Sequence, residues 1–179
     1  MDFSAFVSFC EQNKIKYKVN EPMRCHTSFK IGGPAKVFVC PEKTQELEQI
    51  LGFLKEKELP FFILGKGSNL LVSDEGINAV VICLSSFNAI SVSGEEIKAG
   101  AGAALSAVCQ AALQNGLSGL EFAFGIPGGI GGALFMNAGA YGGEMAQVVK
   151  KAEYITPCGK RGSISIEDME LGYRTSIFK

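Results

Sequence analysis

The sequence predicts an α+β fold made of two loosely repeated halves. Three observations predict it. The first half reads as a strand, a helix and three more short apolar strands, β-α-β-β-β, rather than as a regular strand–helix alternation. From Ala89 the order loosely returns, as a hairpin followed by a helix. The composition is that of a globular chain, with 47% hydrophobic and 20% charged residues in 179.

The elements follow in order. Residues 2–13 put Phe3, Phe6, Val7 and Cys10 on one helical face. Residues 14–28 are mixed, and Pro22 is expected to break any regular element there. Ala35 to Cys40 alternates as a strand does, with Pro41 as its stop. Thr44 is expected to cap a helix whose Leu47, Ile50, Leu51 and Leu54 recur at helical spacing, closed by Pro60. Phe61–Leu64 is a strand, Gly65-Lys66-Gly67-Ser68-Asn69 a turn, Leu70–Val72 a second short apolar strand, and Ala79–Leu84 a third. In the second half, Ala89–Ser93 and Glu96–Ala99 form a hairpin around Gly94, and Gly100-Ala101-Gly102 is another glycine turn. A helix through Leu105, Val108, Cys109, Ala112 and Leu113 ends at Asn115-Gly116, with Gly at C′. The stretch from Gly116 to Gly143 follows, with 10 glycines in 28 residues. Strands are expected over Val148–Thr156 and Gly162–Ile166, then a helical turn over Ile166–Leu171 capped by Ser165.

Composition excludes several function classes. Net charge of −1 leaves no basic footprint for nucleic acid. No apolar run approaches the ~20 residues of a membrane span, and no secretory leader pattern follows Met1. A cytoplasmic location is therefore expected. The six cysteines contain no CxxC and His26 stands alone, so no metal site is expected. No Ser-His-Asp, Cys-His or paired-carboxylate arrangement stands out.

The glycine turns carry the chemical signal. Gly65-Lys66-Gly67-Ser68-Asn69 is half of a dinucleotide fingerprint, but Leu70 stands where the third glycine would, and an apolar strand-like run follows. Its successive N–H groups form a nest suited to phosphate oxygens, or simply an ordinary hairpin turn. Gly100-Ala101-Gly102-Ala103 precedes a helix start that could receive an anion, or is a tight connection. Pro127-Gly128-Gly129-Ile130-Gly131-Gly132 opens a short helix, again either a ligand cradle or a dense crossover. Arg174, beside Tyr173, offers a fixed cation with paired donors suited to a carboxylate or a developing enolate.

Together these pieces resemble the UDP-N-acetylenolpyruvoylglucosamine reductases, the MurB family. The matching segments are H-T-S-F-K-I-G-G-P-A at 26–35, L-G-K-G-S-N-L-L at 64–71, G-L-E-F-A-F-G-I-P-G-G-I-G-G at 119–132, N-A-G-A-Y-G-G-E at 137–144 and G-Y-R-T-S-I-F-K at 172–179. The resemblance implies a two-lobed FAD-binding domain of the vanillyl-alcohol oxidase (PCMH) type, over 29–179, with lobes at about 29–86 and 87–179 and residues 1–28 as a helix and lead-in. It implies that Gly65, Gly67, Ser68 and Asn69 cradle the FAD pyrophosphate. It places Gly125, Ile126, Pro127, Gly128, Ile130 and Gly131 along the flavin and its phosphates, with Asn137, behind them, also among the cofactor-binding residues.

In that family NADPH supplies, by way of FAD, the hydride received by an enolpyruvyl group on a UDP-linked amino sugar. The arginine matching Arg174, with Tyr173 beside it, stabilises the enolate. No protein partner is implied. The family's proton-donating Ser, a nearby Glu and a substrate-binding domain lie downstream of the last residue here, so the chain is expected to be a portion of such an enzyme that binds FAD weakly and does not turn over alone. Two other readings stand beside it: another flavin oxidoreductase of this domain type, with His26 as the candidate for covalent attachment, and a flavin-binding module without catalysis.

Overall fold

In a computed structural model, which describes residues 2–179, the chain forms two compact units. One holds the residues up to Ser86 together with Ile155–Arg161. The other holds Phe87–Tyr154 and Gly162–Lys179. The lead-in ahead of residue 29 thus belongs to the first unit.

The first unit contains helix α1 (Ser4–Gln12), strands β1 (Tyr17–Pro22) and β2 (Pro34–Val39), helix α2 (Thr44–Glu56), and strands β3 (Phe61–Leu64) and β4 (Ile77–Cys83). The strands make one sheet in the order β1-β2-β4-β3. β1 runs antiparallel to β2, and β4 runs parallel to both β2 and β3. One face gathers Met23, Ala35, Phe38, Leu64, Val72, Val81 and Cys83 into a core. The alternate residues Val37, Val39, Val80 and Ile82 are buried as well, so both faces of the central strands are covered, as their near-continuous apolar sequences require. α1 and α2 meet through Phe9 and Phe53, whose rings stack at 4.4 Å.

Three expectations in this unit change. Pro22 does not break a regular element. It ends β1, an edge strand, where a missing N–H interrupts no ladder. Leu70–Val72 is not a strand. β4 already has β2 and β3 on its two sides, so no ladder position remains for it there, and Val72 instead packs into the core. Thr44 is the first helical residue of α2, not its cap. The Glu46 carboxylate reaches back to the amides of Glu42 at 2.8 Å and Lys43 at 3.4 Å and satisfies the helix start instead.

The second unit opens with the hairpin β5 (Ile90–Ser93) and β6 (Glu96–Ala99), followed by α3 (Leu105–Gln114) and α4 (Ile130–Phe135). Short pairs follow, β7 (Gly139–Ala140) with β8 (Gly143–Glu144), then β9 (Lys151–Ile155) with β10 (Arg161–Ser165), of which Ile155 and Arg161 are counted with the first unit. Its core is Leu105, Cys109, Phe122, Ala123, Ala133 and Met145. α3 ends as expected. Gly116 takes φ +67°, its N–H bonds Leu113 O at 3.1 Å, and Leu117 N–H bonds Ala112 O at 2.9 Å, a Schellman motif. β9 begins later than expected, because the Val148 and Val149 amides fold back onto Met145 O at 3.1 and 3.0 Å. The turn expected over Ile166–Leu171 shortens to a 3-10 turn at Ile166–Asp168.

Candidate cofactor-binding site

The first glycine turn leaves the end of the edge strand β3. Its neighbour is a segment far earlier in the chain: Ser28 N–H donates to Gly67 O at 3.0 Å. Gly67 has φ +64°, and a Cβ on it would fall 1.9 Å from His26 O. Only glycine lets the two segments approach this closely. Gly65 differs, since a Cβ there would meet nothing within 4 Å. Among the described residues, the amides of Gly65, Lys66 and Gly67 donate to no backbone or side-chain acceptor of the protein.

A cavity of about 300 Å³ opens beside this turn. Leu64, Gly65 and Lys66 form one part of its wall, Cys25, His26, Thr27 and Ser28 another, and Cys83 and Ser85 a third. Thr27 is buried and its hydroxyl donates to Ile31 O at 2.9 Å, which holds the 27–31 segment in shape. The His26 ring stacks on Phe38 at 4.2 Å, and its Nε2 donates to Glu21 Oε1 at 2.8 Å. Glu21 Oε1 also accepts from Lys18 Nζ at 2.7 Å. Lys18 and His26 together hold the Glu21 carboxyl below its usual range. In the sequence Thr27 and Ser28 figure only within a matching motif, and His26 there and as a candidate for covalent flavin attachment; Cys83 and Ser85 carry no local signal as cavity residues.

The other two glycine turns bond to each other. Gly131 N–H donates to Ala101 O at 2.8 Å and Ile130 N–H to Ala103 O at 2.9 Å, while Leu105 N–H donates to Gly128 O at 3.0 Å. A Cβ on Gly131 would lie 2.9 Å from Ala101 Cβ. The amides of Gly100, Gly102 and Ala103 are spent on Ala89, Phe87 and Gly100 carbonyls. The first amide of α3 and the first two of α4 are therefore committed within the protein. Ile126 N–H donates to Ala123 O at 3.0 Å. The amides of Gly125 and Gly128 donate to no acceptor among the described residues, on either side of Pro127.

Asn137 closes α4. At φ +43° it occupies C′ of a second Schellman motif: its N–H donates to Leu134 O at 3.1 Å and Ala138 N–H to Ala133 O at 2.8 Å. Its buried side chain accepts from Ala146 N–H at 2.9 Å and donates to Gly172 O at 3.3 Å. Gly172 and Thr175 exchange backbone bonds of 3.2 Å, so Tyr173 and Arg174 form the corner of a tight turn. Arg174 has φ +53° and Tyr173 is 93% exposed. Ser176 is buried and its hydroxyl donates to Phe135 O at 2.8 Å. Asn137 thus brings the Tyr173–Arg174 turn to the end of α4. The structure places Gly65, Gly67, Ser68 and Asn69 together in the first unit, and Gly125, Ile126, Pro127, Gly128, Ile130, Gly131, Asn137, Tyr173 and Arg174 in the second.

No helix is long and apolar enough to cross a membrane among the described residues. Nor do those residues hold a group of three or more His, Cys, Asp or Glu able to bind a metal.

The chain is 47% identical over 178 residues to a UDP-N-acetylenolpyruvoylglucosamine reductase of Syntrophomonas wolfei subsp. wolfei, a match covering 99% of this chain and 59% of that one. The solved UDP-N-acetylenolpyruvylglucosamine reductase (MurB) of Thermus caldophilus superposes with a TM-score of 0.74 at 35% identity, over 90% of this chain and 56% of that one. A chitooligosaccharide oxidase shares the fold, with a TM-score of 0.66 at 15% identity over 88% of this chain and 36% of that one. The chain spans little more than half the length of the reductases it matches. The family described as FAD binding domain matches residues 35–165. With that match over most of its length, this chain belongs to the FAD binding domain family.

Proposed function

We propose that this chain is the FAD-binding part of a UDP-N-acetylenolpyruvoylglucosamine reductase, which reduces an enolpyruvyl group on a UDP-linked amino sugar with NADPH in peptidoglycan precursor synthesis. The observation that carries the reading is the turn at Gly65–Gly67. Its amides are uncommitted, it borders a cavity of about 300 Å³, and the space beside Gly65 is open. Such a row of N–H groups is a nest for phosphate oxygens, and FAD carries a pyrophosphate. The similarity to reductases of that name supports the rest.

In this reading the amides of Gly65, Lys66 and Gly67 hold the pyrophosphate oxygens, with Ser68 and Asn69 completing the turn. The amides of Gly125 and Gly128 serve as a second set of donors. When bound, FAD would carry the hydride between NADPH and the substrate. Arg174 supplies a cation for the negative charge that develops on the substrate, where a fixed guanidinium needs no reorganisation. Asn137 acts through Gly172, holding the turn that presents Arg174, rather than by touching the cofactor.

Titrating FAD into the purified chain, followed by flavin fluorescence and by the thermal midpoint, tests this. Saturable binding with a rising midpoint is expected. Gly65→Val should leave the FAD-free midpoint unchanged, because its side chain enters open space, yet weaken FAD binding by at least about tenfold. An unmoved midpoint at saturating FAD would overturn the reading. The flavin should come away on denaturation, since the His26 ring is already stacked on Phe38 and its Nε2 is bonded to Glu21.

A further inference from the structure

We infer that Cys83 and Cys40 are an oxidisable thiol pair, with Cys83 the nucleophile that a peroxide reaches through the cavity and Cys40 the resolving thiol behind it. The inference rests on the sheet and does not depend on the flavin reading.

β2 and β4 run parallel with Phe38 opposite Val81 and Val39 opposite Ile82. One step further puts Cys40 beside Cys83. Paired residues of a parallel ladder point to the same face, and strands lie about 4.8 Å apart. That spacing falls in the roughly 4.4–6.8 Å Cα range of disulfides. Both cysteines belong to the same core cluster on one face of the sheet, and both are free thiols. Cys83 also lines the cavity, so a small oxidant can reach it although its surface exposure is low.

The surroundings favour the thiolate on Cys83. Its thiol donates to the Ser85 hydroxyl at 3.4 Å. The Cys40 thiol, followed by the Ser85 hydroxyl and amide, holds Cys83 well below the ordinary thiol range against the opposing effect of burial. The same pairing, with burial, pushes Cys40 up. Cys83 is also the one of the two that lines the cavity, so it is the thiol a peroxide meets first.

The chemistry balances with hydrogen peroxide as the oxidant. The Cys83 thiolate attacks one peroxide oxygen, the O–O bond breaks, and the departing hydroxide takes a proton to leave as water. Cys83 is then a sulfenic acid. Cys40 sulfur attacks the Cys83 sulfur, the S–O bond breaks, and a second water leaves with the Cys40 proton. Two thiols lose two electrons and two protons to one peroxide, giving one disulfide and two waters. The product staples β2 to β4 at the cavity wall and removes the Cys83 thiol from Ser85.

The test is a peptide map of the chain after equimolar hydrogen peroxide, quenched in acid and alkylated before digestion. A cross-linked peptide pair containing Cys40 and Cys83 is expected, with Cys83 consumed at least about tenfold faster than exposed Cys25 or Cys158. In Cys40→Ser the reaction should halt at a Cys83 sulfenic acid that dimedone captures. In the unaltered chain, a Cys25–Cys83 disulfide, oxidation confined to Cys25 and Cys158, or a sulfenic acid at Cys83 with Cys40 still free would each overturn the inference. That map needs no variant, so a misfolded substitution cannot leave the question open.

Discussion

The side-chain amide of Asn137 donates to the carbonyl of Gly172 at 3.3 Å, tying the end of α4 to the turn that carries Arg174. The same side chain accepts the Ala146 N–H at 2.9 Å. Its backbone at φ +43° is a conformation that Asn tolerates better than most residues. Asn137→Ala should therefore lose both bonds and gain backbone strain, for a destabilisation of about 2–4 kcal/mol. Asn137→Gly relieves the strain and should cost less. Urea unfolding of the two variants checks the order; equal losses would mean that the left-handed backbone contributes nothing.

Gly65 and Gly67 are two residues apart and should respond oppositely to the same change. A Cβ on Gly67 would collide with His26 O at 1.9 Å, on a backbone at φ +64°. Gly67→Ala should cost at least about 2 kcal/mol. Gly65→Ala meets open space and should be within about 0.5 kcal/mol of the unaltered chain. Thermal midpoints of both variants decide it.

Glu21 sets a pH dependence. Its carboxyl is held below the usual range first by Lys18 and then by His26. A carboxylate whose folded pKa is depressed stabilises the protein above its unfolded value and loses that contribution as pH falls through the folded value. Glu21→Gln should be less stable than the unaltered chain at neutral pH. The gap should narrow below about pH 4, where an ordinary carboxylate begins to protonate. A constant gap from pH 7 to pH 3 would show that the charge is irrelevant.

Glu58 follows α2 at φ +50°, with its N–H bonded to Lys55 O at 3.3 Å and Leu59 N–H to Leu54 O at 2.9 Å. This is the helix-ending position that glycine fills at Gly116. Glu58→Gly should stabilise the chain by about 0.5–1 kcal/mol, since it removes a left-handed strain without removing a contact. A lower midpoint for the variant would contradict this.

Much of the site was legible in the residues. The Gly65–Asn69 turn, the Tyr173–Arg174 pair and the resemblance that joined them needed no coordinates. What could not be read was which glycine turn stays open. Gly67, Gly102 and Gly131 each stand in a short glycine-rich turn, and nothing local tells them apart as open or closed. They differ only in which carbonyls the fold brings to the neighbouring amides. His26–Ser28 reached the cavity wall, and Cys40 came to lie beside Cys83, for the same reason.

By itself the sequence determined what depends on a few adjacent residues. It set the apolar faces of α1, α2 and α3, the hairpin around Gly94 and the Schellman end at Gly116. These follow from side-chain periodicity and from backbone angles that only some residues adopt. The tertiary structure decided what depends on partners far along the chain. It made Tyr17–Pro22 an edge strand, denied Leu70–Val72 a place beside β4, and locked the second and third glycine turns together. Local propensity cannot specify such outcomes, because a hydrogen bond needs its acceptor, and strand order alone determines which acceptor arrives.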